Sequence, residues 1–166
     1  MVLTPTILRG CYVIEHDPRA DDRGFFARTW DREALLAKGL DAGIALIATT
    51  YNKQAGTLRG MHLQVEPFAE TKFVRVTRGS IFDVAVDLRS GSPTYLKWHG
   101  ELLSADNRRQ LYIPKGCARL SHARRRQRTQ LRAECAAQPG MREGLSLRRS
   151  EVQHRLAGRS EGHSLA

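Results

Sequence analysis

Long apolar runs are missing from this chain of 166 residues. None approaches the roughly 18–20 residues that a membrane-spanning helix needs. The N-terminus has no basic segment followed by an apolar stretch, so no secretory leader is expected. Cysteine is scarce: Cys11, Cys117 and Cys135 are odd in number, widely spaced and form no CxxC pair, which argues against a disulfide framework. A reducing, cytoplasmic setting is expected. The last part of the chain is poorer still. From Pro114 onward it contains no Ile, Phe, Tyr, Trp or Asp, and valine occurs once, at Val152. A segment so short of β-formers is not expected to complete a sheet core.

The formal net charge of +10 first suggests a polyanionic partner. Its distribution weakens that reading. Residues 1–118 hold 16 Lys+Arg and 13 Asp+Glu, whereas residues 119–166 hold 11 Arg, no Lys and 4 Glu. The basicity is therefore concentrated in one tail, and a nucleic-acid-binding arm is ranked last among the possible functions.

What is present in residues 1–118 is mostly β-pattern. Ile7 to Ile14 predicts an opening strand, and Arg19 to Gly24 a polar turn. Asp31 predicts the cap of a short helix over 32–38 that Gly39 ends. Ile44 to Tyr51 predicts another strand. Thr71–Thr77, the turn Arg78-Gly79-Ser80 and Ile81–Leu88 predict a hairpin. After a turn at 90–93, Thr94–Leu103 and Gln110–Ile113 predict two further strands. Short strands with turn signals every 8–12 residues indicate a β-sandwich or barrel.

The chemistry is concentrated in Gly56-Thr57-Leu58-Arg59-Gly60-Met61-His62-Leu63-Gln64. Together with Pro114-Lys115-Gly116 it resembles the two signature motifs of the cupin jelly roll. His62 follows Gly56 at the spacing of the first motif, but the second histidine of that motif is replaced by Gln64. Exchanging an imidazole ligand for an amide argues against a metal. His62 is then available as a base, because its unperturbed pKa lies near neutrality. A lone histidine in a strand is more often a satisfied core residue. Arg59 and Gln64 beside it, and Lys72 shortly after, favour proton abstraction from a phosphorylated substrate instead. Asp83, inside an apolar strand, needs a partner if buried and is expected to brace the His62 neighbourhood.

Three longer strings make a specific resemblance. They are Leu58 to Gln64, Glu70-Thr71-Lys72-Phe73-Val74-Arg75-Val76, and Gly79 to Arg89. With Asp21-Asp22-Arg23-Gly24-Phe25-Phe26, Ser92-Pro93-Thr94-Tyr95, Leu103 to Asn107 and Leu111 to Gly116, they are similar to the dTDP-4-dehydrorhamnose 3,5-epimerase family over most of residues 5–118. The resemblance implies an all-β, cupin-type jelly roll with one or two short helices, acting as a metal-free homodimer without a cofactor. It implies inversion at C3 and C5 of a dTDP-linked 4-keto-6-deoxy sugar through an enolate. In that reading His62 is the base and Lys72 stabilises the enolate oxygen. Arg59 and Arg23 hold the diphosphate, Arg23 reaching in from a partner subunit. Phe26 joins the substrate-binding set, and Asn52 and Gln64 line the sugar and base pocket. The family also uses a tyrosine to return the proton and an aspartate near the C-terminus to hold the base.

Departures from the family pattern are equally specific. Arg28 stands where the family has an acid, which leaves the nucleotide and sugar open. After Ala118 the family continues His-Gly-Phe, whereas this chain has Arg119-Leu120-Ser121. The last tyrosine is Tyr112 and the last aspartate Asp106. Residues 119–166 are therefore expected to be an irregular, non-family tail, either disordered or the product of a displaced reading frame. Without the family's tyrosine and aspartate, the rival reading is a sugar-nucleotide-binding cupin that does not turn over.

Overall fold

The structure is a computed structural model that describes residues 1–123 in full and the backbone alone of residues 129–134. The elements run β1 (Val2–Pro5), β2 (Tyr12–Glu15), β3 (Arg19–Asp21), β4 (Gly24–Phe26), α1 (Arg32–Leu36), β5 (Ile47–Asn52), β6 (Leu58–His62), β7 (Lys72–Arg78), β8 (Ser80–Asp87), β9 (Trp98–Ser104), β10 (Gln110–Ile113), β11 (Cys117–Ala123) and β12 (Thr129–Glu134). A six-stranded sheet has the order β1-β2-β10-β7-β12-β5, a four-stranded sheet the order β6-β11-β8-β9, and β3-β4 form a separate ribbon. This is the expected all-β sandwich, with one short helix among the described residues.

Side-chain alternation explains where the core lies. On β10, Leu111 and Ile113 join Val74, Val76, Ile81, Ala85, Leu103 and Cys117 in the main cluster. Tyr112, one residue out of phase, joins Phe73, Ile14 and Leu35 in a second cluster on the opposite face. Helix α1 supplies Leu35 to that outer cluster, so β10 is covered on both sides and all four of its residues are buried. Asp31 caps the helix by accepting from Ala34 N at 3.1 Å, and Gly39 follows it at φ +67, as the sequence pattern predicts.

Several boundaries differ from expectation. Residues 7–14 are not one strand. Gly10, at φ +79, sits in a turn closed by Thr6 N donating to Cys11 O at 3.0 Å, and β1 folds back on β2. The predicted hairpin over 71–88 is two strands of different sheets. β7 is flanked by β10 and β12, β8 by β11 and β9, and Gly79 carries the chain from one sheet to the other at φ +85. Lys72 is therefore not on a strand paired with His62. Thr94 lies outside β9 because its hydroxyl donates to the buried Asp87 carboxylate at 2.6 Å.

Residues 119–123, expected to be irregular, are a strand. They continue β11, which is paired along its length with β8 and also with β6. Here pairing on both edges decides, and strand propensity, a weak and context-dependent preference, does not. Ala118, Ser121 and Ala123 are small enough to be buried between the neighbouring strands. The backbone of 129–134 pairs with β5 and β7. The expectation for 124–128 and 135–166 lies outside the described residues.

Candidate active site

Beside its apolar core, the interior of the sandwich holds a polar group of side chains drawn from both sheets. β7 directs Val74 and Val76 into the main core, and Lys72 shares their face. β8 likewise directs Ile81, Asp83 and Ala85 inward. Opposite β8, β11 pairs Arg119 with Ala85 and Ser121 with Asp83, so Arg119 and Ser121 face the same interior.

A β-bulge assembles the rest. Between the pairs Arg119↔His62 and Ser121↔Arg59 the register shifts, because β6 uses one residue more than β11 over this span. In a regular strand residues 59 and 62 would point to opposite faces. The extra residue re-aims one of them, and both Arg59 and His62 then share the face of Arg119 and Ser121. Gly60, without a side chain, lies within the bulged stretch.

Each cation of this group is held. Arg59 Nε donates to Asn52 Oδ1 at 2.7 Å, and its Nη2 donates to Tyr51 O at 3.2 Å. Asn52 is buried on β5, so this contact spans the two sheets. Lys72 Nζ lies 2.7 Å from Glu70 Oε1, with the two side chains 9% and 5% exposed. Gln64, just past the end of β6, satisfies its neighbours only with the amide nitrogen turned toward Phe68 O, at 2.8 Å, and Glu70 Oε2, at 3.1 Å. It therefore braces Glu70 rather than sharing a strand face with His62. Arg119 Nε donates to Asp83 Oδ2 at 3.0 Å, and its Nη2 approaches Asp83 Oδ1 at 2.8 Å as an ion pair outside hydrogen-bond geometry. Asp83 thus reaches the His62 neighbourhood through Arg119. The Ser121 hydroxyl is buried and has no hydrogen-bond partner among the described residues.

His62 itself is exposed at the mouth of this group. Partial burial, and then the positive charges of Arg119, Lys72 and Arg59, push its pKa below the ordinary histidine value. Burial pushes the Asp83 carboxyl up, and the adjacent Arg119 opposes it. Like charge beside the imidazole disfavours its protonated form.

Arg23 and Phe26 lie elsewhere. They belong to the exposed β3-β4 ribbon, where the Arg23 side chain is 89% exposed and bound to Asp21. Phe26 lines a cavity of about 190 Å³ with Met1, Asp17, Arg19, Arg28 and Asp31. Arg28, the residue that departs from the expected acid, is paired there with Asp31 at 2.9 Å. Two site residues escaped the sequence reading. Glu70 was visible only as an acid two positions before Lys72, and it lies ahead of β7 rather than on it. Arg119 was visible only as a departure from pattern.

A double-sheeted antiparallel jelly roll with a histidine among basic side chains at the mouth of its interior is a cupin-type domain. Comparisons identify which kind. The family model for dTDP-4-dehydrorhamnose 3,5-epimerase matches residues 5–151, running past Ala118, and the chain belongs to that family. Curated epimerases of this name are similar: that of Sinorhizobium fredii is 46% identical over 98 residues, 59% of this chain and 50% of the relative. The Shigella flexneri enzyme is 43% identical over 99 residues, 59% of this chain and 54% of the relative. The chain thus spans about half the length of these curated relatives. The crystal structure of the Bacillus anthracis epimerase, with TDP and PPi bound, superposes with TM-score 0.81 at 34% identity, covering 88% of this chain and 83% of that one. The Legionella pneumophila enzyme, in complex with dTDP-4-keto-L-rhamnose, gives TM-score 0.80 at 28% identity, covering 92% and 80%.

Proposed function

We propose that this chain acts on a dTDP-linked 4-keto-6-deoxy sugar, inverting C3 and C5 by proton removal and return. The observation that carries the reading is the bulge that sets Arg59 and His62 on one interior face, with Lys72 entering from the other sheet. The 4-keto group acidifies the neighbouring C–H bonds. His62 takes the proton, the electron pair moves onto the C4 oxygen, and Lys72 stabilises the enolate that forms. A proton then returns to the opposite face of the carbon. Arg59, held in place by Asn52, takes the diphosphate. Gln64 acts on the site by fixing Glu70, the counter-ion of Lys72. Arg23 and Phe26 sit on a ribbon exposed enough to enter the site of a second copy in a homodimer. The setting is cytoplasmic, and no helix among the described residues is long and apolar enough to cross a membrane.

One observation favours the rival reading of binding without turnover. The proton-returning tyrosine has no counterpart after Tyr112. Tyr112 is buried in the outer cluster and accepts from Asp41 N at 3.0 Å. The deciding experiment offers the dTDP-linked 4-keto-6-deoxy sugar to the full chain in D2O and follows deuterium at C3 and C5 by NMR. Exchange that disappears in His62→Ala, with dTDP binding retained, supports the epimerase. Binding without exchange in the unaltered chain establishes the rival, and exchange that survives in His62→Ala removes His62 as the base.

A further inference from the structure

We propose that Arg119 is a positioning residue for His62: clamped to the buried Asp83 carboxylate, it places a fixed positive charge cross-strand from the imidazole and keeps the ring available to accept a proton. The inference rests on the reading of His62 as the base and adds a residue to which the family pattern gives no role, since that pattern has histidine at this place.

The geometry has three parts. First, Arg119 and His62 are direct partners in the β11–β6 ladder. Their side chains leave the same face, and directly opposed Cβ atoms lie about 4.5–5.5 Å apart. Second, β11 lies between β6 and β8, and the guanidinium turns toward β8 to meet Asp83 through contacts of 3.0 and 2.8 Å. The Arg119 side chain is only 13% exposed and Asp83 fully buried, so the arginine cannot swing into solvent without stranding a buried carboxylate. Third, the charged groups facing His62 are Arg59 from its own strand, Arg119 from β11 and Lys72 from β7. The nearby acids are already engaged, Asp83 by Arg119 and Glu70 by Lys72. No carboxylate among the described residues is hydrogen-bonded to His62 to stabilise an imidazolium. Like charge nearby disfavours protonation of the ring, and of the three cations Arg119 is the one locked by a bidentate approach to a fully buried acid.

The test is a pH titration of the His62 imidazole by NMR in the full chain, with its signals assigned by their loss in His62→Gln. Arg119→Gln is expected to move the His62 midpoint to higher pH, and Arg119→Lys to leave it low. Removing one member of a buried pair can prevent folding. The double variant Asp83→Asn with Arg119→Gln therefore replaces the ion pair by two amides and is expected to show the same upward shift. Equal midpoints in the unaltered chain and in the glutamine variants would mean that the pair only holds the sheet together, and the proposal falls. A midpoint in the unaltered chain at or above about 6.5, the ordinary histidine value, overturns it as well. The readout needs no substrate, so absence of epimerisation would sink the proposed function and leave this result standing.

Discussion

Replacing Asp87 by alanine tests whether one buried carboxylate holds the turn after β8 and, through it, the strand that carries Asp83. The Asp87 side chain is fully buried. It accepts from Arg89 N at 3.0 Å, Arg89 Nε at 2.8 Å, Arg89 Nη2 at 2.7 Å, and the hydroxyls of Ser92 and Thr94 at 2.6 Å each. Burial works against its charge, yet these donors hold the carboxyl well below the usual carboxylate range. A single hydrogen bond to a charged group is worth about 1.5–3 kcal/mol, but the donors lie in a half-exposed turn and water replaces much of what they lose. The net loss is then roughly 3 kcal/mol, the low end for breaking a buried pair. On a chain of this size that lowers Tm by roughly 6–12 °C. Asp87→Asn keeps the volume and is expected to lose about half as much. The folded pKa is depressed, so the stabilisation is present above the unfolded value of 3.8 and fades as pH falls below it toward the folded value. Urea unfolding of all three proteins from pH 7 down to pH 3 measures both effects. A loss under about 1 kcal/mol in the alanine variant, or a gap from wild type that does not shrink in acid, would refute the assignment.

Two further outcomes follow from the same structure. Because the His62 pKa is lowered, its base form is fully populated at a lower pH than for a free imidazole, so the acid limb of substrate proton exchange should fall below the ordinary value of 6.5; a limb above that value contradicts the charge arrangement. Gly100→Ala would drive a Cβ into the Phe82 ring across the β8–β9 ladder, and thermal unfolding should register a loss of about 1–3 kcal/mol from overpacking.

The sequence pattern and the structure agree where a single local cause dominates. Asp31 before an apolar-periodic stretch and Gly39 after it bracket α1, because a cap and a left-handed glycine act within a few residues. The turn at 78–80 was legible for the same reason. Its meaning was not: a tight turn between two β-rich runs reads as a hairpin, yet Gly79 passes the chain between sheets because β7 has its two edges taken by β10 and β12. Composition misled at residues 119–123 in a related way. Arg119-Leu120-Ser121-His122 lacks strong β-formers, but its backbone fills the gap between β6 and β8, and satisfying those two ladders outweighs local preference.

By itself the sequence determined the chemistry available: a histidine, two arginines, a lysine and no second motif histidine, in strings similar to one epimerase family. It also marked Asp83 as a carboxylate in need of a partner. Only the tertiary structure decided which groups meet. The bulge turns Arg59 toward the face of His62. Glu70 and Gln64 prove to be the support for Lys72, and the partner of Asp83 is Arg119, 36 residues away in the chain. Residue types and spacing report what a side chain can do. Its neighbours across a sheet depend on strand order and register, which arise from non-local pairing that no local pattern encodes.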